Sequence, residues 1–387
     1  MTERSDADLL PETIAASLGV ARDAAFGAVA PPLYLTSTYA FEGFEAQGRY
    51  DYGRAGNPVR DLLAEALARL EGGAGAVVTP TGMSAIDLLM GRLHREDLVV
   101  APHDCYGGTY RLLKARAALG QFQLRFVDQG DEAAFQAAMS GGPALVLIET
   151  PSNPLMRVVD IARLAGLTHG AGGRVVVDNT FLSPALQTPI AHGADYVVHS
   201  TTKYINGHSD VIGGAVIAAD EEEAKALKSW ANVVGAVGAP FDAWLTLRGL
   251  RTLFPRMERQ EKNARAIAEF LHGHPEVARV HYPGLETHAG HTIAARQQRG
   301  FGAMLSAELK GGKEGVRRFV SSLRLFTLAE SLGGVESLVA HPVTMTHADM
   351  GEAALAVAGI ADGLVRLSVG LEHQDELIAD LEQALWF

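Results

Sequence analysis

Short, almost unbroken apolar runs recur along the middle of this chain: GAVVT, DLVVA, LRFV, ALVLIE, RVVVD, ADYVVH and GGAVIA. Each is followed by a turn-rich segment and then by residues with helical spacing. Runs of this kind predict strands buried on both faces, and their alternation with helices predicts an α/β fold with a mostly parallel central sheet. The first 60 residues differ: VAPPLYLTSTYAF and RYDYGRAGNP are rich in Pro, Gly, Tyr and Thr and show no helical period, which predicts an extended arm. From Asp61, RDLLAEALARLEGG sets Leu62, Leu63, Ala66, Leu67 and Leu70 on one helical face before a glycine stop.

The pattern changes again near Leu250. LRGLRTLFPRMERQEKNARAIAEFLHGHP predicts a long charged helix, broken or kinked by Pro255, that links two domains. Beyond it ARVHYPG, GAMLSAELKG, LRLFTLAES and GLVRLSVGLE read as strands or strand ends among helices. The expected organisation is an N-terminal arm over 1–60, an α/β domain over 61–254 and a smaller C-terminal α+β domain over 255–387. No internal repeat or low-complexity tract interrupts it.

Composition narrows the function. Hydrophobic residues at 48% and charged residues at 20% suit a globular chain and exclude a disordered one. Glycine, 42 of 387 residues or about 11%, exceeds the usual ~7% without a Gly-X-Y period, so collagen is excluded and tight turns or close ligand approach are indicated. The net charge of −12, with no basic block, argues against nucleic acid or an anionic membrane and for a small polar metabolite. The lone cysteine, Cys105, allows neither an intrachain disulfide nor a cysteine-rich metal site and fits a reducing cytoplasm. The start, MTERSDADLLPETIAASLG, lacks the basic and apolar regions of a signal peptide, and no apolar run approaches the ~20 residues of a membrane span.

Ligands of parallel α/β sheets bind beyond the carboxyl ends of the strands, so the residues after each run are the candidates for chemistry. Thr81-Gly82-Met83-Ser84 opens a helix whose N–H groups and dipole suit a phosphate, although a plain βα turn explains it too. Asn153, in ETPSNP, can donate to a ligand oxygen or simply shape a turn. Asp178 ends an apolar run, either as a cap or ion-pair partner or as a placed acid. Lys203 follows another run, where it either reaches solvent or serves as a nucleophilic amine. Phosphate donors, an acid and an amine at one sheet edge are what pyridoxal 5'-phosphate requires.

The strings YGRAGNP, GMSAI, APHDCYGGTYRL, ETPSNP, VVDNTF, STTKYINGHSDV and LAESLGG occur in this order. In them the chain, from about Tyr34 to its C-terminus, resembles the Cys/Met-metabolism family of pyridoxal-phosphate enzymes. The resemblance implies a fold-type I transferase in which Lys203 is the Schiff-base lysine and Asp178 pairs with the pyridine nitrogen. It implies that the Gly82 and Met83 amides, with Ser200 and Thr202, surround the phosphate. Tyr106 would stack on the ring and Asn153 would lie near its phenolic oxygen. Tyr52 and Arg54 would reach the phosphate of a neighbouring subunit, in an assembly that is at least a dimer and in the family usually a homotetramer.

For the substrate the resemblance assigns Arg366 to the α-carboxylate, assisted by Ser331. Taken alone, an arginine in GLVRLSVG reads more readily as a structural ion pair. Glu330 would meet the polar end of the incoming substrate and Arg111 a distal carboxylate. The implied reaction replaces the acyl group of O-succinyl-L-homoserine, or its acetyl counterpart, with L-cysteine to give L-cystathionine. Lyase or sulfhydrylase chemistry on related substrates, or cofactor binding without catalysis, are the alternatives. Ala55 stands where succinyl-using members resemble one another in carrying a further arginine, and Gly108 where methionine γ-lyases resemble one another in carrying cysteine. Cys105 reads as a small buried residue. His288 and His291, in a glycine-containing loop, are expected at the surface with no metal, while His199 and His208 flank the lysine motif as supporting or packing residues.

Overall fold

In the computed structural model, which describes residues 9–386, all seven apolar runs are strands: β1 Gly75–Thr79, β2 Leu98–Pro102, β3 Gln123–Val127, β4 Leu145–Glu149, β5 Arg174–Asp178, β6 Tyr196–His199 and β7 Gly214–Ala218. Five more follow: β8 Val277–His281, β9 Met304–Leu309, β10 Thr327–Leu328, β11 Leu338–Ala340 and β12 Leu364–Ser368. Every residue of β2, β4, β6 and β7 is buried, which is why these runs carry no polar alternation. β3 lies at an edge and does alternate, with Gln123 and Arg125 exposed.

The chain gathers into two compact units, one of residues up to Arg92 with Asp195–Phe254, the other of Leu93–Ala194 with the residues from Pro255 onward. In the first, the strand order is β1-β7-β6, with both pairs antiparallel and Val77 opposite Val216. In the second, β5-β4-β2-β3 are all parallel, with Glu149 in register with Asp178. The second unit also holds a sheet of order β10-β11-β12-β9-β8, antiparallel except for β10 with β11.

Three local expectations change. The helix anticipated from Asp61 spans Pro58–Glu71: Asn57 accepts the Val59 and Arg60 N–H groups, and Pro58 lies in the first turn, where its missing N–H costs nothing. Gly72 then stops it at φ 75°. The arm is not wholly extended, because Pro11–Ser17 is a helix burying Ile14 and Ala15; its first eight residues lie outside the described residues. The long helix near Leu250 is two, Pro240–Leu250 and Leu253–His272. The break falls before Pro255, which sits in the first turn of the second helix and so kinks nothing.

Candidate active site

In the first unit, β1 leads into a turn where the Thr81 hydroxyl accepts the Ser84 N–H at 2.9 Å and caps the helix Gly82–Met90. The Gly82 and Met83 amides thereby occupy the first turn, at the positive end of the helix dipole. β6 ends beside them. A Cβ on Gly82 would stand 2.8 Å from the Ser200 Cβ and 3.0 Å from its Cα, so only glycine allows this approach. The Thr202 Oγ1 donates to the Gly213 carbonyl at 3.2 Å and accepts the Gly213 N–H at 3.0 Å. Lys203 is half-buried in a tight turn closed by the Gly207 N–H, which donates to the Lys203 carbonyl at 2.7 Å. Two amides at a helix N-terminus, two hydroxyl side chains and a glycine-only approach fit a phosphate with an amine nearby in sequence.

Two neighbours of the lysine motif resolve into packing and surface. His199 is fully buried with its Nε2 2.6 Å from the equally buried Glu71 Oε1, tying β6 to the helix Pro58–Glu71. His208 is exposed, a ring nitrogen 2.7 Å from the Asn206 carbonyl. In the arm, Tyr52 is 50% exposed, with the Arg54 guanidinium 5.8 Å from its ring centroid. Arg54 donates to the Asn232 carbonyl at 2.8 Å.

The second unit brings together a different set. Tyr106, its side chain exposed, precedes the helix Gly107–Ala118. Asp178 closes β5 and accepts the Thr180 N–H at 3.0 Å. Asn153 is buried beyond β4, and its Oδ1 accepts from Arg366 at 2.9 Å. Arg366, 2% exposed within β12, also donates to the Ser331 carbonyl at 2.9 Å. Both of these acceptors are neutral oxygens that orient the guanidinium. Ser331 holds φ 89°, a conformation costing a non-glycine residue ~1–3 kcal/mol and concentrated at functional sites. Glu330 is exposed beside it, and Arg111 is exposed on the helix Gly107–Ala118.

Two residues outside the sequence-based set join this group. Glu149 accepts the Tyr106 N–H at 2.8 Å and the Asn153 N–H at 2.9 Å. Its sequence signal was the one that marked Asp178, an acid ending an apolar strand. His347 has its Nε2 3.0 Å from the Asn153 carbonyl, and burial, then the Arg366 charge, push its pKa down to about 4. Nothing in the local sequence marks it. The expected surface placement of His288 and His291 is corrected: both are partly buried, His288 accepting the Gly290 N–H at 3.0 Å and His291 stacked on Phe301. Burial lowers the His288 pKa to about 4, with His281 and His291 adding to the effect. Cys105 is fully buried, and burial, then Glu149 and Asp104, raise its thiol well above the ordinary range, which leaves it unreactive. Among the described residues no group of three metal-ligating side chains occurs, and no helix is long and apolar enough to cross a membrane.

A family model described as "Cys/Met metabolism PLP-dependent enzyme" matches residues 12–386. Cystathionine gamma-synthase of Escherichia coli (strain K12) is 57% identical over 371 residues, covering 96% of each chain. Its counterpart from Mycobacterium bovis is 48% identical over 377 residues, 97% of this chain and 96% of its own. Among solved structures, cystathionine gamma synthase from Xanthomonas oryzae pv. oryzae, in complex with aminoacrylate and cysteine, aligns at TM-score 0.97 and 56% identity over 98% of both chains. The fold is therefore the mixed α/β type with a mostly parallel central sheet.

Proposed function

The chain belongs to the Cys/Met metabolism PLP-dependent enzymes, and we propose that it is a transferase of the cystathionine γ-synthase type. It exchanges the γ-acyloxy group of O-succinyl-L-homoserine, or of O-acetyl-L-homoserine, for L-cysteine and gives L-cystathionine in methionine biosynthesis. The observation that carries the cofactor reading is the glycine-only approach of Gly82 to Ser200, three residues before Lys203. The likeness to synthases over nearly the whole chain supports the reaction. Gly108, buried where methionine γ-lyases resemble one another in carrying cysteine, speaks against that lyase activity.

Pyridoxal phosphate, when bound, supplies a conjugated electron sink for negative charge developing on the substrate carbons. The protein supplies the rest. The Gly82 and Met83 amides and the Ser200 and Thr202 hydroxyls would hold phosphate oxygens, Thr202 by turning its proton away from the Gly213 carbonyl. Asp178 would pair with the ring nitrogen and keep it protonated, Tyr106 would cover the ring and Asn153 would lie near its phenolic oxygen. Lys203 would hold the cofactor through its amine, and the same amine would move protons at the substrate α and β carbons. Arg366, aimed by Asn153 and Ser331, grips the α-carboxylate in a two-pronged contact. Glu330 and Arg111, both exposed, meet the polar ends of the substrates. With Ala55 in the arm, Arg111 is the cation proposed for a distal carboxylate of the acyl group.

In this reading the functional organisation is an arm over 1–60, a cofactor domain over 61–254 and a C-terminal domain over 255–387. Tyr52 and Arg54 serve the phosphate of a second copy in a cytoplasmic homotetramer, which the exposure of Tyr52 supports. Borohydride reduction of the protein reconstituted with pyridoxal phosphate tests the core of the proposal. Peptide mapping is expected to find the pyridoxyl group on Lys203; a preparation that takes up no cofactor, or carries the adduct elsewhere, overturns it.

A further inference from the structure

Glu149 ends β4 in register with Asp178 at the end of β5, so two acids leave one face of the sheet as neighbours. Its side chain is only 8% exposed. The other two strands of this parallel set, β2 and β3, end in Pro102 and Val127, and a buried acid beside another acid is costly unless it has a task. Burial and the Asp178 charge push the Glu149 carboxyl well up, against the pull of two N–H donors. Those donors are specific: Oε2 takes the Tyr106 N–H at 2.8 Å and Oε1 the Asn153 N–H at 2.9 Å. The Tyr106 side chain caps nothing, so this carboxyl is what fixes the backbone at the start of the helix Gly107–Ala118. One side chain thus holds the backbones of the residue proposed to cover the ring and of the residue proposed to face its phenolic oxygen.

We infer that Glu149 is a positioning residue: its carboxyl, bridging the Tyr106 and Asn153 amides beside Asp178, presets the ring-stacking tyrosine and the asparagine for pyridoxal phosphate. The inference rests on the cofactor reading above. In this role Glu149 acts through the two amides. A carboxamide keeps one acceptor oxygen and places an NH2 against the other N–H, whereas leucine removes both acceptors at similar size.

The test titrates full-length apoprotein with pyridoxal phosphate, for the wild type, Glu149→Gln and Glu149→Leu, reading the dissociation constant and the visible circular dichroism of the bound cofactor. Thermal unfolding of each apoprotein runs alongside. Loss of one bond in the glutamine variant is expected to weaken cofactor binding about tenfold, and loss of both in the leucine variant still further. The dichroic band is expected to shrink in the same order, reporting a less fixed tyrosine over the ring. Wild-type affinity and an unchanged band in both variants overturn the positioning role, whether or not their unfolding temperatures fall. A wild type that binds no pyridoxal phosphate overturns the cofactor reading instead, so the two failures are distinguishable. If the leucine variant does not fold, the glutamine variant alone decides.

Discussion

Gly82 and Ser200 come together from segments more than a hundred residues apart, and a single methyl group decides whether they can. Gly82→Ala is expected to force apart the turn and the start of the lysine loop, because the clash is with backbone as well as side chain. Cofactor affinity falls at least tenfold and stability by ~1–3 kcal/mol, read by apoprotein titration and denaturant unfolding. His347 supplies a pH signature. Its folded pKa is about 4 against an ordinary 6.5, so between those values the unfolded chain binds a proton that the folded chain refuses. Its contribution, up to ~3 kcal/mol, is complete above about pH 6.5 and is lost as the pH falls toward 4. Unfolding midpoints at pH 7 and pH 4.5 are expected to differ less in His347→Gln than in the wild type; equal differences contradict the assignment. The places of Lys203, Asp178 and Asn153 at or just beyond strand ends were legible in the sequence because each follows an apolar run. His347 was not, since it meets Asn153 across 194 residues and no local pattern encodes such a contact.

The elements were legible where burial was complete. Unbroken apolar runs announced the fully buried β2, β4, β6 and β7, and β1, β3 and β5 showed as apolar stretches with partly exposed positions, while the three-residue β11 is too short to set a period. Boundaries were decided by single residues that pattern alone passes over. Asn57 is buried, accepts two helix-start N–H groups and donates to the Tyr34 carbonyl at 3.0 Å, so it starts the helix and ties the arm to it. Asn57→Ala is expected to cost ~1–2 kcal/mol, seen as a lower unfolding temperature, with Asn57→Asp recovering the cap but not the arm contact. Pro255 was expected to break a helix and instead helps begin one, because its ring is harmless in a first turn.

At the scale of the whole molecule, a net charge of −12 opposes the phosphate and carboxylates of the proposed cofactor and substrates, so in that reading Arg54, Arg111 and Arg366 would act as local cations against an unfavourable field. Phe26, Leu35, Phe41 and Phe44 of the arm are all more than half exposed, surface that a second copy would cover. If the arm completes its neighbour's site, co-refolding inactive Arg54→Ala with inactive Lys203→Ala restores up to roughly a quarter of wild-type activity, because a mixed dimer regains one intact site. No recovery places the arm on its own chain. The central claim is most directly tested by incubating the reconstituted protein with L-cysteine and either O-succinyl- or O-acetyl-L-homoserine, with a parallel incubation on L-cystathionine alone. Cysteine-dependent formation of cystathionine, with release of the acyl acid, and slower cleavage of cystathionine are expected. Efficient cleavage without any replacement would contradict that claim and make the enzyme a lyase.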